Sequence, residues 1–280
     1  MTHYIFPKIS PDYEKSYCLT LYDWPNDTAG FWRKISMGVF DVLDVIPTSG
    51  FSTVGGKNIS GSYKKIIEQN SNYLQNKSSF SLDITLRGGK KNIGNDAFPS
   101  SVELSILCRP GNRTKLCIAV NSDQVEDIDH FLETILELLI ISTGPCYGGA
   151  FCFPSMFGPS FYLSSISILP RGFNINSNMD YSERLSRWRN SELRYGLGVS
   201  DGYFREIYKT NLLTERHLKV QFRGRDLRYY AETVGDLHSI PSVRGSYRWN
   251  IDINRIDQVR NDMEYSGLIL SSTSNGKAIV

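Results

Sequence analysis

The chain has 280 residues, of which 40% are hydrophobic, 21% charged and 12% aromatic, a globular composition with ample apolar material for a core. Lys and Arg number 31 against 29 Asp and Glu, a formal charge of +2, which argues against a histone-like or tail-like nucleic-acid binder. The length fits one elaborated domain or two packed modules.

The longest apolar stretch, Phe131 to Ile141, carries Glu133 and Glu137, whereas a bilayer span needs roughly twenty apolar residues. No membrane partner is expected. The opening MTHYIFPKISPDYEKSY lacks a basic start followed by an apolar region, so the expected location is the cytoplasm. On that reading the Asn-x-Ser/Thr sequences at Asn26, Asn58, Asn76 and Asn112 are chance matches. The five cysteines, Cys18, Cys108, Cys117, Cys146 and Cys152, form no Cys-x-x-Cys and no Cys/His pairing of ligand spacing. They point to neither a disulfide framework nor structural zinc, and no metal or cofactor is expected.

In chain order, Tyr17 to Trp24 reads as a strand, and Asp27 or Thr28 offers an N-cap for a helix through Phe31, Ile35, Val39, Val42 and Ile46. Pro47 and Gly50 end that pattern. A Gly/Ser-rich stretch follows and is expected to be a mobile loop, and then a weaker helix places Tyr63, Ile66, Ile67 and Leu74 on one face. Phe80, Leu82, Ile84 and Leu86 alternate with polar residues, as do Val102, Leu104, Ile106 and Cys108. After turn chemistry at Arg109-Pro110-Gly111-Asn112, Leu116, Ile118 and Val120 repeat the period. These strands predict an antiparallel meander with one covered and one wet face.

Asp123 and Glu126 have capping-box spacing before a wide apolar stripe from Ile128 to Leu139, and Gly144-Pro145 stops that helix. Tyr147 to Phe153 (YGGAFCF) reads as a strand. Beyond it, Tyr181, Leu185 and Trp188 suggest a short helix, and Tyr203 to Leu218 a helical or turn-rich segment. Tyr247 to Ile253 suggests a strand, and Ile256, Val259 and Met263 a last helix closed by Gly267 and a short strand at Leu268 to Leu270. The order predicts an α+β fold, an antiparallel sheet with helices packed on one face, as a single elaborated domain. Residues 1–170 form a sheet-and-helix half. Residues 171–280 form an Arg/Tyr-rich half packed on the first.

Familiar chemical motifs fail in detail. Gly50 to Asn58 resembles a phosphate-binding loop, but Gly56 displaces Lys57, Asn58 replaces the hydroxyl residue, and the segment follows a helix. Gly196, Gly198 and Gly202 miss the dinucleotide fingerprint by one residue and read as a turn. Arg87 to Lys91 reads as a solvated hairpin end. Of His3, His130, His217 and His238, only His217 stands where it could act as a general base, with Glu206 or Glu215 to orient it, and one histidine is not a site. No catalytic residue is assigned.

The charge is uneven. Residues 171–230 carry a balance of +5, with Trp188, Tyr195, Tyr203, Phe204, Tyr208, Phe222, Tyr229 and Tyr230 interleaved among the arginines. Arg with Tyr suits a protein interface, where such residues anchor, or single-stranded nucleic acid, where Arg meets phosphate and aromatics stack on bases. The candidate binding residues are Arg205, Tyr208, Arg216, His217, Arg223, Arg225 and Arg228. Arg223-Gly224-Arg225 is expected to be an exposed turn presenting two guanidinium groups.

The hairpin, capped helix and YGGAF segment, followed by GYFREIYKTNLLTERHL, FRGRDLRYY and the YRWNIDI strand, resemble bacterial immunity proteins of type VI secretion and polymorphic-toxin systems. In that family a sheet-and-helix half ends in a Gly-aromatic segment. A later half carries an aromatic/Leu-rich turn, a Gly before a short helix, matched here by Gly224 before Asp226 to Tyr230, and a closing strand, matched by Tyr247 to Ile253. The resemblance implies a non-catalytic protein that binds a cognate toxin and blocks its active site. The alternative left open by the residues is a nucleic-acid-binding or accessory subunit of a bacterial antiviral defence complex, and a third is an enzyme using His217.

Overall fold

The patterns read from the sequence form two units in the computed structural model, which describes residues 15–22, 28–75, 82–91, 100–109, 113–121, 124–144, 146–154, 187–188 and 198–270. Among these, one unit holds the described residues up to 144 together with 152–154, and the other holds 146–151, 187–188 and 198–270. The architecture is mixed α and β, with antiparallel sheets and six helices among the described residues. No helix of the described residues is long and apolar enough to cross a membrane.

The first unit runs β1 (Lys15–Tyr22), α1 (Thr28–Val42), β2 (Pro47–Val54), β3 (Lys57–Ser62), α2 (Tyr63–Gln75), β4 (Leu82–Lys91), β5 (Ser100–Arg109), β6 (Arg113–Asn121) and α3 (Ile128–Thr143). Its strands lie in the order β1-β6-β5-β4-β2-β3, each pair antiparallel. The expected meander is β4-β5-β6. The Gly/Ser-rich stretch, expected as a loop, is instead the β2–β3 hairpin. Gly55 and Gly56, at φ 53° and 82°, form a two-residue turn, because only left-handed central residues match the strand twist there. Arg87 to Lys91 likewise belongs to β4, with a register shift between Gly88 and Lys91.

Helices α1 and α2 meet the face that carries Ile84, Leu86 and Gly88. A Cβ on Gly88 would sit 2.8 Å from the Phe40 ring, and Ile66 stands 3.4 Å from a Cβ on Gly50. Asn70, one turn after Ile66, is also buried, and its amide donates to Ser52 Oγ and to the Ile66 carbonyl. Helix α3 is capped by Asp127, whose carboxylate accepts from the His130 N–H at 3.1 Å. The expected cap, Asp123, lies outside the described residues, as do the turn at 110–112 and the expected helical positions Tyr181 and Leu185.

The expected wet face is not wet. Thr20, Thr85, Ser101, Glu103, Ser105, Lys115 and Asn121 alternate with the apolar residues of their strands, yet all are buried. A buried polar face must pair its own groups. Thr85 and Ser105, directly opposed across β4 and β5, share a hydrogen bond of 2.6 Å. Ser16 donates to Asn121 at 2.8 Å, and Arg87 Nε donates to Glu103 at 2.9 Å. Cys18 and Cys117 occupy the same face as free buried thiols, and burial, followed by a hydrogen bond from the Cys18 thiol to Cys117, pushes the Cys18 thiol upward.

Burial also raises the Glu103 carboxyl to about 7, and the Arg87 guanidinium lowers it only in part. An acid whose folded value lies above its unfolded one stabilises the fold below about pH 4.5 and loses that contribution as pH rises through 7. Wild-type stability should therefore fall across this window by up to about 3 kcal/mol. Glu103→Gln should remove the dependence. Chemical denaturation at pH 5 and pH 7.5 checks it, and parallel pH profiles for both proteins would exclude the carboxyl as its source.

Candidate functional site

The second unit begins with β7 (Tyr147–Pro154), whose residues through Phe151 belong to it, and continues with β8 (Thr210–Thr214) and α4 (Glu215–Leu218). Then come β9 (Gln221–Phe222), β10 (Arg225–Asp226), α5 (Leu227–Val234), β11 (Gly235–Ser239), β12 (Ser246–Ile251) and α6 (Ile256–Tyr265). Its sheet runs β7-β8-β12-β11, all antiparallel, and β9–β10 is a separate hairpin. The region expected as helical or turn-rich contains the strand β8, because Leu212 and Leu213 are both buried and β12 pairs along it. The expected strand at Leu268 to Leu270 is a single parallel bridge of Ile269 to Phe204.

Seven residues were expected to bind, and they fall into two groups. Arg205, Tyr208 and His217 are core residues. The Arg205 guanidinium lies 3.7 Å over the Trp188 ring. Tyr208 is fully buried and stacks on Phe151 with centroids 4.9 Å apart. That approach requires Gly149, where a Cβ would overlap the Tyr208 ring.

His217 sits in the first turn of α4. Its Nδ1 lies 3.4 Å from the Thr214 N–H and 2.8 Å from Thr214 Oγ1, which closes the helix start in the way a Glu or Gln usually does. The ring stacks on Tyr147 at 5.1 Å and meets Phe204 edge-on at 5.3 Å. Burial holds its pKa down at about 4. The Tyr203 carbonyl favours the protonated ring but is not at hydrogen-bond geometry, so Nε2 is buried without a partner. A neutral ring enclosed by aromatics cannot reach a substrate, and neither Glu206 nor Glu215 orients it.

Arg216, Arg223 and Arg225 are exposed and Arg228 is half-buried, and these four form the outer group. The expected Arg223-Gly224-Arg225 turn is there: Arg223 at φ 52° and Gly224 at φ 80° make the tight turn of the β9–β10 hairpin. Most of these guanidinium groups are already engaged. Arg216 pairs with Asp201 at 3.4 Å, Arg223 with Asp262 at 2.6 Å, and Arg228 with Glu215 at 3.2 Å. Arg228 also lies 4.7 Å over the Tyr247 ring, and the Tyr247 hydroxyl donates to Glu215. That hydrogen bond, followed by Arg228 and Lys219, outweighs partial burial and holds Glu215 below the usual carboxylate range. Tyr230 donates to the other oxygen of Asp262 at 2.7 Å, and burial and then this bond raise its hydroxyl.

Several residues that position these groups escaped the sequence reading. The Tyr147 hydroxyl accepts from the Arg205 N–H at 3.1 Å and donates to the Glu206 carbonyl at 2.9 Å. Arg260 of α6 donates to the buried Glu206 carboxylate at 2.8 Å. Only the Gly pair after Tyr147, which leaves room for an aromatic ring, marked this region in the sequence. Among the described residues no group of three or more His, Cys, Asp or Glu is arranged to hold a metal ion. The described surface presents guanidinium groups backed by aromatic rings, Arg225 on Tyr229 and Arg228 on Tyr247.

Two substitutions test this division. Tyr147→Phe removes one hydrogen bond from the buried Arg205 N–H and one from the buried Glu206 carbonyl, and should destabilise by about 2 to 4 kcal/mol. His217→Ala should destabilise by a similar amount through the cavity and the lost cap, about 2 to 4 kcal/mol. Because burial depresses the folded His217 pKa, its contribution is present above about pH 6.5 and is lost as pH falls toward 4. A His217→Ala melting temperature equal to wild type at pH 7 would return His217 to the surface-site readings.

No protein-family model matches the chain, and no curated protein sequence matches it. Among solved structures it is similar to the Pseudomonas aeruginosa T6SS protein PA0821, with a TM-score of 0.54 at 10% identity over 95% of this chain and 77% of that one. The likeness is one of fold.

Proposed function

We propose that this chain is a non-catalytic binding protein, an immunity protein that neutralises a cognate bacterial toxin in the cytoplasm of the producing cell. The observation that carries this reading is the fold shared, over 95% of the chain, with a T6SS protein. Two features of the second unit support it. The one histidine that could have served as a base is a buried cap. The exposed side chains of the hairpin and of α5 include Arg223, Arg225 and Tyr229, of the types that anchor protein interfaces.

The inhibitor works by occupying the toxin's active site, so its own requirement is a rigid, complementary surface and not a reactive group. The test is co-expression with the product of the adjacent reading frame. This chain should restore growth to cells that produce the toxin and should copurify with it. A chain that emerges alone and leaves the cells unprotected sinks the proposal.

A further inference from the structure

Among the described residues of the second unit, Arg225, Arg244 and Arg255 are exposed without a carboxylate partner, and of these Arg225 is the one that lies over an aromatic ring. Arg216, Arg223 and Arg228 are paired within the chain to Asp201, Asp262 and Glu215. Arg225, the first residue of β10, is exposed, and its guanidinium lies 4.2 Å over the ring of Tyr229. Tyr229 itself is 54% exposed, one of few large hydrophobic side chains so exposed among the described residues. We propose that Arg225 and Tyr229 together anchor a carboxylate of an acidic segment on a partner protein, an inference that rests on the immunity reading and names the chemistry its partner presents.

The geometry favours this occupant. The two-residue turn at Arg223 and Gly224 and the start of α5 at Leu227 fix the backbone on both sides of Arg225. The Tyr229 ring packs against the guanidinium, and among the described residues no carboxylate pairs with its N–H groups. Those groups match a carboxylate as a two-bond fork, and the ring restrains the fork before the partner arrives. Docking then removes a half-exposed Tyr and an Arg from water together, the composition of a binding hot spot.

A nucleic-acid strand is disfavoured by the same surface. Phosphates come in a closely spaced row and need a row of free cations. Here Asp226 adjoins Arg225, Glu232 follows on α5, and Glu215 and Asp262 occupy the neighbouring arginines. A single carboxylate placed on Arg225 avoids these charges, whereas a continuous polyanion meets them.

The test observes the arginine Nε–H resonances of the 15N-labelled full chain during titration at low ionic strength, once with a hexaglutamate peptide and once with an oligothymidylate of matched charge. The peptide should shift the Arg225 resonance to saturation and leave those of Arg216 and Arg228 nearly still. Arg225→Ala should weaken peptide binding at least tenfold, Arg225→Lys should weaken it severalfold because the fork is lost, and Tyr229→Ala should also weaken it. Peptide affinity unchanged in Arg225→Ala, no movement at Arg225, or tighter binding of the oligothymidylate would each overturn the proposal. Growth protection by the Arg225→Ala chain is scored separately. Protection with an inert Arg225 leaves the immunity reading standing and removes this anchor, and a responsive Arg225 without protection does the reverse.

Discussion

A buried segment without regular secondary structure must find partners for its own backbone, and the second unit is organised around that constraint. Residues Phe204 to Tyr208 are almost fully buried and lie outside every helix and strand. Phe204 is paired on both sides, its N–H to the Leu268 carbonyl and its carbonyl to the Leu270 N–H. The Tyr147 hydroxyl bridges Arg205 and Glu206, and the Glu206 carboxylate accepts from the Ile207 N–H at 2.9 Å. The Asn211 amide closes the segment, accepting from the Tyr208 N–H and donating to the Tyr208 carbonyl. These partners come from β7, β8 and the chain after α6, so the segment joins elements far apart in sequence.

Charge is handled by the same rule at different depths. Glu206 and Arg260 are buried together, and each is further hydrogen-bonded, which is the condition under which a buried pair is tolerated. Arg223 with Asp262 stands nearer the solvent, where such a pair contributes only about 0 to 1 kcal/mol to stability. Its effect is one of placement, because Asp262 is held in turn by Tyr230. In the first unit Glu103 shows the opposite balance, since desolvation outweighs its one arginine. Glu103 and His217 therefore contribute to stability with opposite pH dependence, the first losing its contribution as pH rises through 7 and the second as pH falls toward 4.

Local pattern made most elements legible in the sequence. The alternation of Val102, Leu104 and Ile106, the stripe of α3 and the YGGAF strand each bury the residues that the period selects. What the pattern could not carry was the second face of the sheet. Thr85, Ser105 and Glu103 look solvated in a sequence, and only their cross-strand partners make them fit for burial. The Gly55-Gly56 turn was legible in principle, as a Gly pair between two short runs, but the runs TSGFSTV and KNISGS hold too few large apolar residues to announce strands. The residues expected to bind divided by the same logic. Arg205, Tyr208 and His217 share composition with Arg223 and Arg225, and nothing local distinguishes an Arg lying on a buried Trp from one lying on an exposed Tyr.

That division bears on what kind of protein this is. Association is opposed by the ordering of long side chains, so a surface already held in its binding geometry gives up less entropy on docking. Here Arg228 is held by Glu215 and the Tyr247 ring, Arg223 by Asp262, and Arg225 by Tyr229. Each hold uses a residue of a different element, from α4 and β12 to α6 and α5, so the surface inherits its rigidity from the packing beneath it. His217, by contrast, is buried and uses its Nδ1 to close the start of α4, so it adds nothing to that surface. Arg223 and Arg225 stay at the surface, fixed by Asp262 and Tyr229, and the charge presented there is set by the packing beneath it.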